Sequence, residues 1–144
     1  MTEPQPDRIR PPGETSGSPQ RPAQRLAGST LTFDLAAELE QLRGEDSYRS
    51  SDRNAKTLVK EPDLRVVLTA IKDGGRLREH RAPGPVAVQT ISGRIRLHAG
   101  GQTLELPVGH LLMLEPNLPH DVEALEESAF LLTIAWPEGA RADG

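Results

Sequence analysis

The chain has 144 residues, of which 35% are hydrophobic and only 3% aromatic, and it carries a net charge of −4 and no cysteine. This composition predicts one ordinary domain with a core of aliphatic side chains, and it excludes disulfides, thiol catalysis and thiolate zinc sites. The basic residues are scattered, so a nucleic-acid-binding face is not predicted. The sequence has no apolar run of about 18 residues and no apolar signal segment, which predicts a cytoplasmic protein without a membrane anchor.

Residues 1–28 are poor in apolar side chains and rich in proline. The prolines are Pro4, Pro6, Pro11, Pro12, Pro19 and Pro22. A segment of this kind cannot bury enough apolar surface to offset the entropy of ordering, so the sequence predicts a disordered tail. The alternative is a Pro-rich recognition segment, because Pro19 and Pro22 have the PxxP spacing.

A helical period follows the tail and predicts an amphipathic helix from Leu31 to Arg43. The leucines that share one face of this helix are Leu31, Leu35, Leu39 and Leu42. Thr32 or Asp34 can cap the start, and Gly44 can end it. The polar residues that follow predict a loop, so that 29–55 is a segment of helix and polar loop packed outside the main domain.

Alternating apolar and polar residues dominate 56–136 and predict an all-β barrel of short strands. The predicted strands are Lys56–Lys60, Leu64–Lys72, Val86–Ile91, Arg94–His98, Gln102–Pro107, Leu111–Glu115, Asp121–Ala124 and Ala129–Ala135. Leu68 lies in mid-strand with apolar residues two positions away on either side, which predicts full burial. Residues 137–144 are small and polar and are predicted to be a frayed end.

Two glycine–histidine frames mark the centre of the predicted barrel. Gly74 is followed by five residues and then His80, and Gly93 closes the first frame. Gly109 opens the second frame, and His120 lies eleven residues further on. This spacing resembles that of the cupin family, whose motifs are G(X)5HXH(X)3–4E(X)6G and G(X)5PXG(X)2H(X)3N. The resemblance implies a small jelly-roll barrel with both histidines facing one cavity.

The frames depart from the family pattern at its other metal-ligand positions. Ala82 stands where cupins have a second histidine, and Val86 stands where they have a glutamate. In the second frame Asn117 replaces a glycine. The resemblance therefore leaves only His80 and His120 as metal ligands, fewer than the three that catalytic zinc sites use, and implies at most a weakly bound divalent metal.

Strand alternation supplies further candidates for contact with a ligand. Val86, Val88 and Thr90 share the face that the missing glutamate would occupy. None of them is a good metal ligand, but Val86 and Val88 are candidate ligand-contacting residues. Arg78 has the same parity as His80 and is a candidate for pairing with a carboxylate of the ligand. The alternative for Arg78 is an exposed strand residue.

Three other residues have side chains that could bind a ligand or a metal, but the sequence predicts that they lie outside the site. His98 and His110 are predicted to be exposed histidines at turns. Glu115 occupies the end of a strand close to His120, and we expect it to be a surface carboxylate rather than a ligand.

Two classes of function fit this pattern. The first is a cupin that binds a small molecule near His80 and His120 without a full set of metal ligands. The second is a metal-dependent cupin enzyme of the dioxygenase or isomerase type. The sequence around Ala82 and Gln89 also resembles the small ligand-binding and dimerisation barrels attached to some bacterial transcription regulators, although no helix-turn-helix is predicted. A homodimer through a sheet face that carries Ala87, Gln89 and Ile91 is compatible with either class.

Overall fold

The structure, a computed structural model, describes residues 29–136, and the predicted tails at 1–28 and 137–144 lie outside the described residues. The helices are α1 (Leu35–Gly44) and α2 (Asp46–Arg49). The strands are β1 (Arg53–Glu61), β2 (Leu64–Ile71), β3 (Arg76–His80), β4 (Val86–Ser92), β5 (Arg94–Ala99), β6 (Gln102–Pro107), β7 (Leu111–Leu114), β8 (His120–Ala124) and β9 (Ser128–Ala135). Between positions 29 and 136, no helix has the length and apolarity needed to cross a bilayer.

The strands form two antiparallel sheets that enclose one core. Sheet A has the order β1-β2-β9-β4-β7, and sheet B has the order β3-β8-β5-β6. Loops 81–85 and 115–119 pass from one sheet to the other at the same end of the molecule, which we call the barrel mouth. This arrangement confirms the predicted all-β jelly-roll barrel with a short helix outside it.

Alternation along the strands directs one set of apolar side chains into the space between the sheets. Val88 and Phe130 from sheet A pack in one cluster with Leu97 and Val122 from sheet B, and all four are buried. We call this set the interior cluster. Toward the mouth it is only partly buried, since Leu118 and Ile134 keep some exposure.

A second apolar cluster covers the outer face of sheet A. Leu39 and Leu42 of α1 pack there against Leu68 and Ala70 of β2. The predicted burial of Leu68 is confirmed, because none of its surface is exposed. Strand β2 is thus covered on both faces at its end, where Ile71 belongs to the interior cluster.

The segment before the barrel is more ordered than predicted. The helix begins at Leu35 rather than Leu31, and Asp34 caps it by accepting a hydrogen bond from the backbone N–H of Ala37 at 3.2 Å. The prediction of a polar loop up to residue 55 is wrong, because it missed the helix α2 and placed the start of β1 at Lys56 rather than Arg53. Short polar runs give too weak a periodic signal to reveal a four-residue helix.

Polar contacts attach α1 to the sheet. Asn54 donates from its side chain to the carbonyl of Leu42 at 2.9 Å and to a carboxylate oxygen of Glu45 at 2.9 Å. One orphan carbonyl at the end of α1 is therefore satisfied by a buried side chain of β1. The ion pair of Lys56 with Glu38, at 2.6 Å, attaches the first turn of the helix to the same strand.

Candidate ligand-binding site

His80 and His120 lie opposite each other on adjacent strands at the barrel mouth. They are direct cross-strand partners in β3 and β8, and their ring centroids are 4.2 Å apart with the planes inclined at 61°. A bulge between Leu77 and His80 lets two residues that are three positions apart face partners only two apart, Val122 and His120. The bulge is what directs His80 toward the ring of His120.

Backbone carbonyls determine which ring nitrogen of each histidine carries a proton. The Nδ1 of His80 lies 2.8 Å from the carbonyl of Arg78, and the Nδ1 of His120 lies 3.0 Å from the carbonyl of Leu118. A carbonyl only accepts, so each Nδ1 must be the donor. In the neutral state the Nε2 of each ring is therefore an acceptor, available to a proton donor or a cation.

The two rings differ in their exposure. His120 is only 3% exposed, and this burial is the main reason why its pKa is lowered from the ordinary value of 6.5. The carbonyl of Leu118 acts in the opposite direction, and the neighbouring His80 lowers the pKa further. His80 is exposed. The buried ring is thus held neutral at pH 7, next to a ring that solvent reaches.

Asn117 links the two mouth loops. It has a φ of 64° and is the sole non-glycine residue with positive φ in the part of the chain that the structure describes. Its backbone N–H donates to the carbonyl of Ala82 at 2.7 Å. Asparagine adopts this left-handed conformation more readily than most residues. Asn117 therefore adopts the left-handed backbone conformation at a position where the cupin pattern has a glycine.

The strand residues predicted to face inward do so. Val86, Val88 and Thr90 are all buried, and the first two belong to the interior cluster. The hydroxyl of Thr90 donates to the carbonyl of Leu106 at 2.9 Å, so its polar atom is satisfied without a ligand. Val86 is the first residue of β4 and lies at the mouth. The contact of Val86 and Val88 with a ligand stays a prediction.

Arg78 is exposed on β3. The parity argument that paired it with His80 does not hold, because the bulge after Leu77 interrupts the alternation. Its backbone carbonyl, which accepts from Nδ1 of His80, is its recorded contact with the site. Contact of its side chain with a ligand remains a prediction.

His98 differs from its predicted position, whereas His110 and Glu115 are exposed as predicted. His98 lies within β5, not at a turn, and its Nδ1 donates to the carboxylate of Asp121 at 2.7 Å. The two are cross-strand partners, and both point away from the core because their neighbours Leu97 and Val122 point into it. A sequence cannot show this pair without the register of β5 and β8.

An open cavity of about 460 Å³ adjoins this pair beside the mouth. Among its lining residues are Glu79, His98, Gly101, Leu118, His120 and Asp121. Neither Val86 nor Val88 lines it. The cavity therefore lies toward the outer side of sheet B and reaches His120 from there.

The sequence comparison decides the family. A model of the AraC-like ligand binding domain matches residues 65–143, which is more than half of the chain. The chain belongs to this family. The match begins in β2 and includes both histidines and both mouth loops, so the site described above lies inside the AraC-like domain. No curated protein sequence matches the chain.

Solved structures, two of them named as cupins, share the fold of this AraC-like domain. An RmlC-like cupin from Desulfovibrio desulfuricans is 22% identical with a TM-score of 0.62, and the match covers 74% of this chain and 97% of that one. A conserved protein of unknown function from Streptococcus pyogenes is 24% identical with a TM-score of 0.62, covering 78% and 92%. A cupin 2 conserved barrel domain protein from Leptotrichia buccalis is 28% identical with a TM-score of 0.61, covering 72% of this chain and 47% of that one.

The residues at the mouth do not fit the metal set of the metal-binding cupins. Ala82 and Val86, at the positions of a histidine and a glutamate in that pattern, are apolar and pack with the interior cluster. Among residues 29–136, no group of three or more histidine, cysteine, aspartate or glutamate residues is placed to hold a metal ion. Two imidazoles supply half of a four-ligand site, so no reaction step is assigned to a metal here.

Proposed function

We propose that this AraC-like domain binds a small molecule at the barrel mouth, in contact with His80 and His120. The observation that carries the proposal is the pair of imidazoles whose Nδ1 atoms are both bonded to backbone carbonyls. Both Nε2 atoms are left as acceptors, on rings that are direct cross-strand partners with centroids 4.2 Å apart. A ligand that offers a hydroxyl or amine proton satisfies this arrangement.

The apolar surroundings support the same proposal. Ligand sites are concave, mostly apolar and carry a few convergent polar groups. At the mouth, the side chains of Leu118, Leu132 and Ile134 are packed against the interior cluster but remain only partly buried. They offer apolar surface beside the two polar rings.

The test is a thermal-shift screen of small polar metabolites combined with native mass spectrometry of the purified protein. Ligands that raise the melting temperature are then titrated against wild type, His80→Ala and the control His110→Asn. Loss of one hydrogen bond at His80 is expected to raise Kd about tenfold. His110 is exposed and directly precedes β7, at the end of that strand away from the mouth, so its variant is expected to bind with the Kd of wild type. Hits whose affinity does not depend on His80 would refute this site.

The second candidate is a metal-dependent enzyme of the dioxygenase or isomerase type. It is favoured only by the retention of two cupin histidines, and we propose that these hold a divalent metal weakly. Calorimetric titration of the wild type with nickel, manganese and zinc is the test. Weak binding is expected, and tight stoichiometric binding would favour the enzyme over the binding domain.

We also propose a cytoplasmic homodimer as the form in which the domain works. The face predicted for dimerisation is smaller than expected, because Ile91 packs beneath α1. Ala87 and Gln89 remain on the outer face of sheet A, next to Met113 and Leu111 of the last strand. Leu111 and Met113 are 62% and 59% exposed, and such a cluster on an edge strand is suited to pairing with a second copy.

A further inference from the structure

Arg65 is a charged residue on the interior face of sheet A. It is the direct partner of Ile134 in β9, and Ile134 in turn packs against the interior cluster and pairs with Val86 of β4. Residues opposite each other in a sheet share a face. The side chain of Arg65 therefore lies on the interior side of sheet A, where it is half-buried.

Trp136 covers one plane of the Arg65 guanidinium. The carbon at the centre of the guanidinium is 4.4 Å from the centroid of the indole ring, and Trp136 is buried. Stacking of this kind uses the face of the guanidinium and leaves its in-plane N–H groups available. The tryptophan thus holds Arg65 in a fixed orientation without satisfying its donors.

Both side chains carry a buried donor without an acceptor. Neither the Nε of Arg65 nor the indole Nε1 of Trp136 has a hydrogen-bond partner within the described part of the chain. An unsatisfied buried donor costs about 1–3 kcal/mol, and more when it is charged. These two donors could both bind one hydrogen-bond acceptor. Residues 29–136 do not supply such an acceptor.

These donors lie at the same end of the barrel as the two histidines. Arg65 is the second residue of β2, and its partners across sheet A stand at the end of β9 and the start of β4. The loop 81–85 joins the start of β4 directly to His80. The mouth therefore has a donor side on sheet A and an acceptor side, the two Nε2 atoms, on sheet B.

We infer that the ligand of the mouth is a small monocarboxylic acid that also carries a hydroxyl or amine proton. Its carboxylate accepts hydrogen bonds from Arg65 and Trp136, and its proton donor is bound by His80 or His120. Arginine matches the planar carboxylate in a bidentate way. The inference rests on the proposed function of the mouth as a ligand site and adds the chemical class of the ligand.

The charge of the site favours one carboxylate over a phosphate. Arg65 pairs in the sheet with Ile134 of the interior face, and its guanidinium matches a single negative charge. A phosphate brings nearly two charges at pH 7, which one guanidinium and a neutral, buried His120 would not balance. A neutral ligand would leave the guanidinium of Arg65 without a counter-charge.

The test uses Trp136, which is the only tryptophan of the chain. Its single indole N–H signal in a ¹H–¹⁵N correlation spectrum is followed while sodium acetate, lactate or benzoate is added to wild-type protein, with lactamide and sodium chloride as controls. At least one carboxylate is expected to move the signal saturably, while neither control does. If none of the three acids shifts the signal, water satisfies both donors and the inference falls.

A matched pair of variants then assigns the effect to Arg65. Arg65→Lys keeps the charge but loses the planar fork, and we expect it to raise Kd for the carboxylate about tenfold. Arg94→Lys, at a half-exposed arginine on the outer face of sheet B, is expected to leave Kd unchanged. Equal affinities of wild type and Arg65→Lys would overturn the inference, and the wild-type titration decides it even if Arg65→Lys does not fold.

The outcomes also separate the inference from the proposed function. If the metabolite screen yields a neutral or cationic ligand that depends on His80, and no acid moves the indole signal, the mouth is a ligand site but not for carboxylates. If neither experiment yields a ligand, both proposals fail.

Discussion

At the scale of single residues, the site is defined by two histidines with the same backbone contact and different burial. The carbonyl two positions earlier accepts from Nδ1 in both, but only His120 is withdrawn from water. Protonation of His120 is opposed by burial and by the neighbouring His80. A ligand proton donor is thus offered one buried acceptor that is neutral at pH 7, on His120, and one exposed acceptor, on His80.

This difference predicts a pH dependence of stability. The pKa of His120 is lowered below 6.5 in the folded protein, so the unfolded chain takes up the proton first as the pH falls. The contribution of neutral His120 is complete above pH 6.5 and is lost progressively below it, down to the lowered pKa. Urea unfolding of wild type and His120→Asn between neutral and acidic pH should show the larger acid loss in wild type. His110→Asn is the control and should retain the wild-type dependence; parallel curves for all three proteins would contradict the assignment.

Tyr48 allows a second measurement at the same scale. Burial, and then its hydrogen bond to Glu127 at 2.7 Å, raises the pKa of Tyr48 from 10.0 to about 12. Since this is the only tyrosine, the tyrosinate absorbance of the native protein should titrate near 12, and near the ordinary value in denaturant. Glu127→Gln should lower the midpoint only in part, because burial is the larger cause. A native midpoint at the ordinary value would mean that the Tyr48 ring is not buried in the apolar cluster on the outer face of sheet A.

The spacing of the glycine frames was enough to predict that His80 and His120 meet. It could not predict the orientation of their rings. His80 and His120 were placed by the glycine frames, and Gly93 of those frames is required sterically, since a Cβ there would lie 2.3 Å from the carbonyl oxygen of Glu127. No residue type in the sequence marks the bulge in β3. Regular alternation therefore placed Arg78 on the same face of the strand as His80. Arg65 lies within the predicted strand Leu64–Lys72, but only the pairing with β9 shows that its face of the strand is the barrel interior.

At the scale of elements, the outer helix is part of the fold rather than an appendage. Its leucines close a cluster on sheet A that is separate from the interior cluster. Arg43 in its last turn donates to the hydroxyl of Ser92 at 3.4 Å and to the carbonyl of Ser128 at 3.3 Å. The helical spacing of the leucines predicted α1, because an apolar stripe along one face of a helix must be buried against another element. Which sheet face it covers depends on contacts distant in sequence.

The helix cluster should therefore contribute strongly to stability. Leu68 is fully buried beneath α1, and Leu68→Ala is expected to lower the free energy of unfolding by about 2–5 kcal/mol. Val108→Ala, at an apolar residue that is 55% exposed, is the control and should change stability by no more than about 0.5 kcal/mol. Denaturant unfolding at one protein concentration measures both. A loss at Leu68 as small as that at Val108 would show that α1 does not pack on the sheet.

At the scale of the whole molecule, the outer faces of the two sheets differ in chemistry. Sheet B carries a row of cross-strand ion pairs in which Arg96 lies 3.6 Å from Glu105 and 3.5 Å from Glu123. Sheet A is covered by the helix on one side and is exposed and apolar at β7, which ends the strand order of that sheet. A charged, mutually paired face is suited to solvent, whereas the bare apolar strip has no partner among residues 29–136.

The proposed dimer should form through that strip. Leu111→Lys and Met113→Lys place a charge where two copies would bury apolar surface, and burying an unpaired charge is costly. In analytical ultracentrifugation, wild type is expected to sediment as a dimer and both variants as monomers. Thr103→Lys adds the same charge to the exposed face of sheet B and should leave the dimer intact. A wild type that stays monomeric across the concentration range, or variants that stay dimeric, would show that β7 is not the interface.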